Sequence, residues 1–234
     1  MKKIFALILL ASLAAVLKSQ NLTLTSPDRN LALQITNNQK LEYSVIFKNR
    51  TIVNPSILGF EFRDEAPLAG NFIITDSKTA SFDETWIPVI KSKHAEIRNN
   101  YNELKVLLRE KNDPCRLLEM EARAYNDGIA FRFRLPRAAK PGDRQIVKEL
   151  TTFSIPGDPK AWVVEYGGYS TSNEAEFMER QLSYVSEKTI AGMPFLMDYG
   201  NNCWMAITEA KIDNYPAFYL GTNGTAGQLT TKLV

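Results

Sequence analysis

Apolar and polar residues alternate at every second position along most of this 234-residue sequence, and that period limits the fold more than any other feature. The alternation is clear in five segments: residues 31–35, 43–47, 102–108, 118–124 and 131–135. A repeat of two places apolar side chains on one face of a strand and polar side chains on the other. The pattern therefore predicts a chain made mainly of half-buried β-strands.

Turn-forming residues separate these segments. The clearest is Asn126-Asp127-Gly128, which stands between two strands as in a tight hairpin, where glycine can adopt a positive φ. Further breaks are expected at Asn54-Pro55, Pro136, Pro141-Gly142 and Pro156-Gly157-Asp158. Many short strands with regular turns predict an all-β fold, a large antiparallel β-sandwich.

The segment 172–187 does not follow this pattern. It opens with Ser172-Asn173, residues that commonly cap a helix, and glutamates follow within the next few positions. Both a short helix and an irregular excursion from the sheet are compatible with it.

Residues 1–19 have the order of a secretory signal peptide. Lys2 and Lys3 precede an apolar run from Ile4 to Leu17, and the small residue Ser19 precedes polar sequence. The run is shorter than the roughly 20 residues that a membrane-spanning helix needs, so we expect no membrane anchor. We predict cleavage after Ser19, a mature domain over residues 20–234, and a secreted or periplasmic location.

Charge and cysteine content narrow the function classes. The chain carries 28 basic and 26 acidic residues. Loss of Lys2, Lys3 and Lys18 with the signal peptide gives the mature domain a net charge of 25 − 26 = −1. No basic run resembles a nucleic-acid footprint, so we expect no nucleic-acid partner. Cys115 and Cys203 have no metal-ligand spacing; export permits a disulfide, and both the paired and the free state stay open.

Five phrases carry a resemblance to a known family. In chain order they are SPDRNL at 26–31, FDETWIPV at 82–89, EIRNNYNEL at 96–104, ITEA at 207–210 and NYP at 214–216. Together they extend over nearly the whole mature chain, and in this order they resemble the amino-terminal domain of glycoside hydrolase family 97.

The resemblance implies a three-part enzyme. An amino-terminal β-sandwich of galactose-mutarotase type packs on a catalytic (β/α)8 barrel in cis, and a small β domain follows. Such enzymes act on α-linked oligosaccharides as α-glucosidases or α-galactosidases, with calcium in the active site. Most catalytic carboxylates belong to the barrel, which would begin after Val234. We therefore expect a fragment that lacks the barrel, with a sandwich incomplete at its carboxyl end and no activity of its own.

The resemblance also implies one metal ligand in this domain. The family places a glutamate before an aromatic residue, downstream of a tryptophan strand; here Glu176 precedes Phe177 and follows Trp162. Glu174 takes that role if the register shifts by two. Without the resemblance, the acidic residues between Glu165 and Glu179 are interpreted as a solvated loop.

Other chemistry-bearing residues are interpreted as structural. His94 lies among lysines, as surface histidines do, and Asp83 and Glu84 point to opposite faces of one strand. Trp86 is expected in the core or at a domain interface. The resemblance alone implies a role for Arg98, Asn99 and Tyr101, which would position a loop at the barrel.

Two rival functions stay open. An independent carbohydrate-binding module would stack sugar rings on exposed aromatics such as Tyr166, Tyr169 and Trp204, next to the flexible Gly167-Gly168 pair. A structural or adhesive sandwich would bind no ligand. Neither rival contains catalytic residues.

Overall fold

The structure, a computed structural model, describes residues 20–91, 93–136 and 144–234. The expected signal peptide and the expected break at Pro141-Gly142 lie outside these residues. The strands are β1 Gln20–Thr25, β2 Leu31–Asn37, β3 Leu41–Phe47, β4 Arg50–Ile57, β5 Phe60–Phe62, β6 Phe72–Trp86, β7 Ile97–Glu110, β8 Leu117–Tyr125, β9 Ile129–Arg134, β10 Ile146–Glu149, β11 Thr152–Ser154, β12 Lys160–Val163, β13 Met178–Gln181, β14 Phe195–Asp198, β15 Trp204–Ile207, β16 Phe218–Gly221 and β17 Gln228–Leu233. None of the helical structure in these residues is long and apolar enough to cross a bilayer.

The strands form antiparallel sheets. A seven-stranded sheet has the order β1-β2-β3-β4-β11-β17-β16, and a four-stranded sheet has the order β6-β7-β8-β9. A second four-stranded sheet, β13-β12-β14-β15, and the pair β10-β5 complete the described fold. The prediction of an all-β antiparallel sandwich is confirmed.

The core lies between the seven-stranded sheet and the β6–β9 sheet. Leu33 and Ile35 of β2 are buried, as are Leu118 and Met120 of β8, which is the alternation read from the sequence. Tyr43 contacts the Phe131 ring edge-on at 5.3 Å between centroids. Because each fully buried large apolar side chain contributes roughly 1.5–3 kcal/mol, this interior is the main source of stability.

The β12–β15 sheet is attached to this sandwich at specific points. Ala191 forms bridges both to Leu220 of β16 and to Glu165, which follows β12. The Tyr199 hydroxyl donates to the carbonyl oxygen of Ile52 in β4 at 2.7 Å. The Ala191 bridges fix the start of the segment that connects β12 to β13, and the Tyr199 hydrogen bond fixes the end of β14.

Two expected turn features differ from the structure. Asn54-Pro55 does not end a strand, because β4 continues through it; the register against β3 shifts there, so the missing N–H of Pro55 falls at a bulge. The hairpin at residues 126–128 is present, with Tyr125 N donating to Gly128 O at 2.8 Å. Gly128 is absent from the positive-φ residues, so the turn does not use glycine for that conformation.

The ambiguous segment 172–187 contains no α-helix. Residues 172–177 are irregular, β13 follows, and Leu182–Tyr184 form a single 3₁₀ turn. The irregular alternative is therefore correct. Cys115 and Cys203 are both free, which resolves the open question about their pairing.

Candidate functional site

The loop from Glu165 to Phe177, here called the 165–177 loop, leaves the end of β12 and returns as β13. Its base is hydrogen-bonded: Tyr166 N donates to Ile190 O at 2.9 Å, and Gly192 N donates to Val164 O at 2.9 Å. A Cβ on Gly192 would lie 2.5 Å from a ring carbon of Tyr166. Glycine at position 192 therefore allows the Tyr166 ring to approach the backbone.

Three tyrosines hold the middle of this loop. The Tyr219 ring, from β16, contacts Tyr166 at 5.7 Å and Tyr169 at 5.8 Å between centroids. The Tyr219 hydroxyl donates to Asn173 Oδ1 at 3.1 Å, and the Tyr166 hydroxyl donates to Asn173 O at 3.3 Å. Asn173 has φ 58°, a left-handed conformation that asparagine tolerates better than most residues. The tyrosines thus fix the residue that immediately precedes Glu174.

The four acidic residues of this region fall into two classes. Glu165 accepts a hydrogen bond from the Tyr184 hydroxyl at 3.2 Å. Glu179 accepts one from Lys160 at 2.7 Å, and this hydrogen bond raises the pKa of Lys160. Glu174 and Glu176 are exposed, and their carboxylates form no hydrogen bond or ion pair within the described part of the chain. Of the four, only Glu174 and Glu176 have both carboxylate oxygens without a partner among the described residues.

The donor set fits a contribution to calcium binding but not a complete site. Carboxylate oxygens are hard ligands, which suit calcium, and the ion takes six to eight of them. Among residues 20–91, 93–136 and 144–234, no group of three His, Cys, Asp or Glu side chains is arranged to hold a metal. A calcium ion bound at this loop would therefore need further oxygen ligands from outside the described residues or from water.

The β6–β7 hairpin contains most of the other residues singled out in the sequence. Asp83 receives two hydrogen bonds from Arg98, at 2.6 and 2.7 Å, while Glu84 accepts one from Asn99 at 3.0 Å. The two carboxylates have separate partners and do not form a catalytic pair. His94 is exposed.

Trp86 ends β6 and is 48% exposed. Its expected place in the core is wrong, because this end of the β6–β7 hairpin is exposed. Its role at a domain interface stays a prediction.

The phrases at 207–210 and 214–216 form a partly buried cluster that the sequence did not reveal. Glu209 accepts a hydrogen bond from Phe218 N at 3.4 Å, and Tyr215 donates its hydroxyl to Glu149 Oε2 at 3.0 Å. Burial raises the pKa of both Glu149 and Glu209. These residues tie the segment before β16 to β10, and Glu149 had no motif that would have identified it.

The chain is similar to known proteins over nearly its whole length. Residues 24–234 match the family model described as "Glycosyl-hydrolase 97 N-terminal". The chain is 32% identical, over 241 aligned residues, to a retaining alpha-galactosidase of Bacteroides thetaiotaomicron. The match covers 99% of this chain and 35% of that protein, so the chain spans about a third of the relative.

Solved structures agree with this match. A glycoside hydrolase family 97 enzyme from Pseudoalteromonas sp. strain K8, in complex with acarbose, superposes with a TM-score of 0.83 at 26% identity. That match covers 91% of this chain and 32% of the enzyme. A variant of the same enzyme in complex with panose gives a TM-score of 0.82. A beta-arabinopyranosidase at 22% identity has a TM-score of 0.80, which shows a shared fold.

Proposed function

The chain belongs to the glycosyl-hydrolase 97 N-terminal family, and from this premise we propose that it is the non-catalytic β-sandwich of an exported, calcium-dependent α-glycosidase. It packs on a catalytic barrel in cis, and Glu176 contributes one calcium ligand near the carbohydrate site. The substrate class is an α-linked oligosaccharide, cleaved as by an α-glucosidase or an α-galactosidase.

One observation carries the metal part of this proposal. Glu176 is an exposed carboxylate without a partner among the described residues, and it lies three positions after Asn173, which two tyrosine hydroxyls hold in place. An anchored loop with an unpaired carboxylate is suited to ligand binding, because no existing interaction must be broken. When bound, calcium would supply a hard cation for carboxylate and sugar oxygens.

Exposed apolar residues support packing on a second domain. At the end of the β6–β7 hairpin, Ile87 is 73% exposed, Ile90 is 81% exposed, and Val89 is fully exposed. Contiguous apolar surface of this kind marks interaction sites in soluble proteins. In the proposed enzyme this tip lies against the barrel.

Calorimetry with calcium tests the ligand assignment. The 234-residue chain should show no tight site, because it offers too few oxygens. In a full-length relative that carries both domains, the change matching Glu176→Gln should weaken calcium binding and slow hydrolysis while the sandwich stays folded. The change matching Glu165→Gln serves as the control, since that carboxylate already accepts a hydrogen bond from the Tyr184 hydroxyl. Unchanged calcium affinity would move the assignment to Glu174 or remove this domain from the metal site.

Two further measurements test the rest of the proposal. Assays with chromogenic α-glucosides and α-galactosides should detect no turnover by this chain, since glycoside hydrolysis needs two carboxylates at a fixed separation. Turnover abolished by changing any glutamate from Glu165 to Glu179 would overturn this assignment. Amino-terminal sequencing of exported material should begin at Gln20, and a mature start at Met1 would contradict export.

A further inference from the structure

The outer face of the β12–β15 sheet carries two of the three tryptophans of the chain. Its inner face is apolar and fully buried, with Ala161, Val163, Phe195 and Met197 at 2% exposure or less. Side chains alternate across a strand, so Trp162 and Trp204 lie on the opposite, outer face. Trp204 is 50% exposed.

The two indole rings meet across β14. Their centroids are 5.2 Å apart and their planes are inclined by 37°. Trp162 pairs with Leu196 of β14, and Trp204 pairs with Asp198 of the same strand, so the two rings stand diagonally across it. Together they form a continuous aromatic surface on a rigid sheet.

Charged groups lie directly beside these rings. Glu179 is the cross-strand partner of Trp162, and Asp198 is the partner of both Trp204 and Lys160. Glu179 accepts a hydrogen bond from Lys160 through one oxygen, and Asp198 accepts one from Gly200 N through one oxygen. The second oxygen of each carboxylate has no hydrogen-bond partner in the described residues.

This combination favours a hydroxylated ligand over a protein. The centre of a protein interface is depleted in charged residues, because each carboxylate buried there must lose its water. A sugar ring instead offers an apolar C–H face for an aromatic platform and hydroxyls at its edge for carboxylates. The outer face of the β12–β15 sheet, with its paired indole rings and adjacent carboxylates, matches the requirements of a sugar ring.

We propose that Trp162 and Trp204, with Glu179, Asp198 and Lys160 at their rim, form a binding surface for neutral oligosaccharides. This indole face is separate in its chemistry from the calcium ligand proposed above, since it needs no metal. Because β13 begins at Met178, directly after the 165–177 loop, the face adjoins that loop in the chain.

Affinity electrophoresis and tryptophan fluorescence of the 234-residue chain test this surface. Maltopentaose and stachyose serve as probes for glucose-based and galactose-based oligosaccharides, and EDTA is present throughout, so that failure of the calcium proposal has no effect on the result. We expect binding of at least one probe. Trp204→Ala and Asp198→Asn should each weaken binding, the tryptophan change by about tenfold or more.

Trp86→Ala is the matched control, because Trp86 has nearly the same exposure as Trp204 but lies on the β6–β7 hairpin. It should leave oligosaccharide affinity unchanged. Trp162 is less exposed than Trp204, so the test of the binding surface relies on Trp204→Ala and Asp198→Asn, whose positions are solvent-accessible. The proposal would be overturned if neither probe bound, or if Trp204→Ala did not weaken the binding.

Discussion

The carboxylates of the β7–β8 hairpin and those of the 165–177 loop differ in what surrounds them. Glu103 and Glu121 are 4% and 5% exposed, and Arg123 donates to both. Glu174 and Glu176 are exposed to solvent, and their carboxylates have no partner among the described residues. In the β7–β8 hairpin, the buried carboxylates are neutralised by nearby cations and serve the fold. The loop carboxylates leave their oxygens unused, which is the condition that a metal or sugar site requires.

The largest effect should come from removing a buried cation of the hairpin. Arg116 is 2% exposed in its side chain and donates two hydrogen bonds to Glu110 and one to each of the Ala66 and Pro67 carbonyls. Arg116→Met removes the cation that pairs with the largely buried Glu110 carboxylate, which keeps only the backbone N–H of residue 116 as a donor, so we expect a loss of about 3–5 kcal/mol in the free energy of unfolding. Urea denaturation measures this loss.

Arg134→Met is the control for that prediction. Arg134 is 59% exposed and reaches Glu119 only at 4.0 Å. An exposed pair of this kind contributes about 0–1 kcal/mol. Equal losses in the two variants would show that burial does not distinguish the ion pairs of the β6–β9 sheet.

A pH series separates two kinds of buried carboxylate. Burial raises the pKa of Glu149, which accepts hydrogen bonds from Thr151 and Tyr215 and has no cation beside it among the described residues. Its folded pKa lies above its unfolded pKa, so its contribution is present at low pH and is lost as pH rises through the folded pKa. Urea unfolding from about pH 3 to about pH 8 should show Glu149→Gln gaining stability relative to the wild type as pH rises.

Glu121→Gln should give the opposite sign. Burial alone would raise the pKa of Glu121, but the hydrogen bond and charge of Arg132 lower it overall. Its contribution is therefore present above the unfolded pKa and is lost as pH falls through the folded pKa. Parallel curves for Glu121→Gln and Glu149→Gln would refute the distinction.

Much of the sandwich could be predicted from the sequence, because the period of two in β2 and β8 reports burial directly. The burial of Glu121 could not be predicted from the sequence, because one of the arginines that contact it, Arg132, comes from the neighbouring strand β9. The core alternative for Trp86 fails for a related reason: an apolar residue on a strand is buried only where a second sheet lies opposite it. The bulge at Pro55 likewise depends on the register of β3.

The candidate site shows the same limit more strongly. Composition and resemblance identified Glu174 and Glu176, but they did not reveal what holds the loop. Tyr219 lies 46 positions from Asn173 in the sequence, and no local pattern links the two residues. Spatial partners of this kind emerge only when the strands are assembled.

Changes at the loop anchor should have a moderate, local effect. Asn173→Ala loses the hydrogen bond from Tyr219 and places a side chain that cannot bond locally in the left-handed conformation, which costs about 1–2 kcal/mol. We expect cleavage by chymotrypsin after Phe177 to become about 5–30 times faster, as a local loss of that size implies. Asn173→Gly keeps the conformation and should resemble Tyr219→Phe, with a smaller increase. Cleavage of Asn173→Ala at the wild-type rate would show that the tyrosines do not order the loop.

The smallest effect should come from the two loop carboxylates themselves. Glu174→Gln and Glu176→Gln break no interaction within the described residues, so each should change the free energy of unfolding by less than about 0.5 kcal/mol. Glu103→Gln is the matched comparison, because it weakens the ion pairs with Arg123 at 3.0 Å and Lys105 at 3.1 Å and should cost clearly more. Thermal and urea unfolding of the three variants measure the difference. A loss at Glu176 as large as that at Glu103 would make the loop carboxylate a structural element, and the contrast between hairpin and loop would no longer separate residues of the fold from residues of the site.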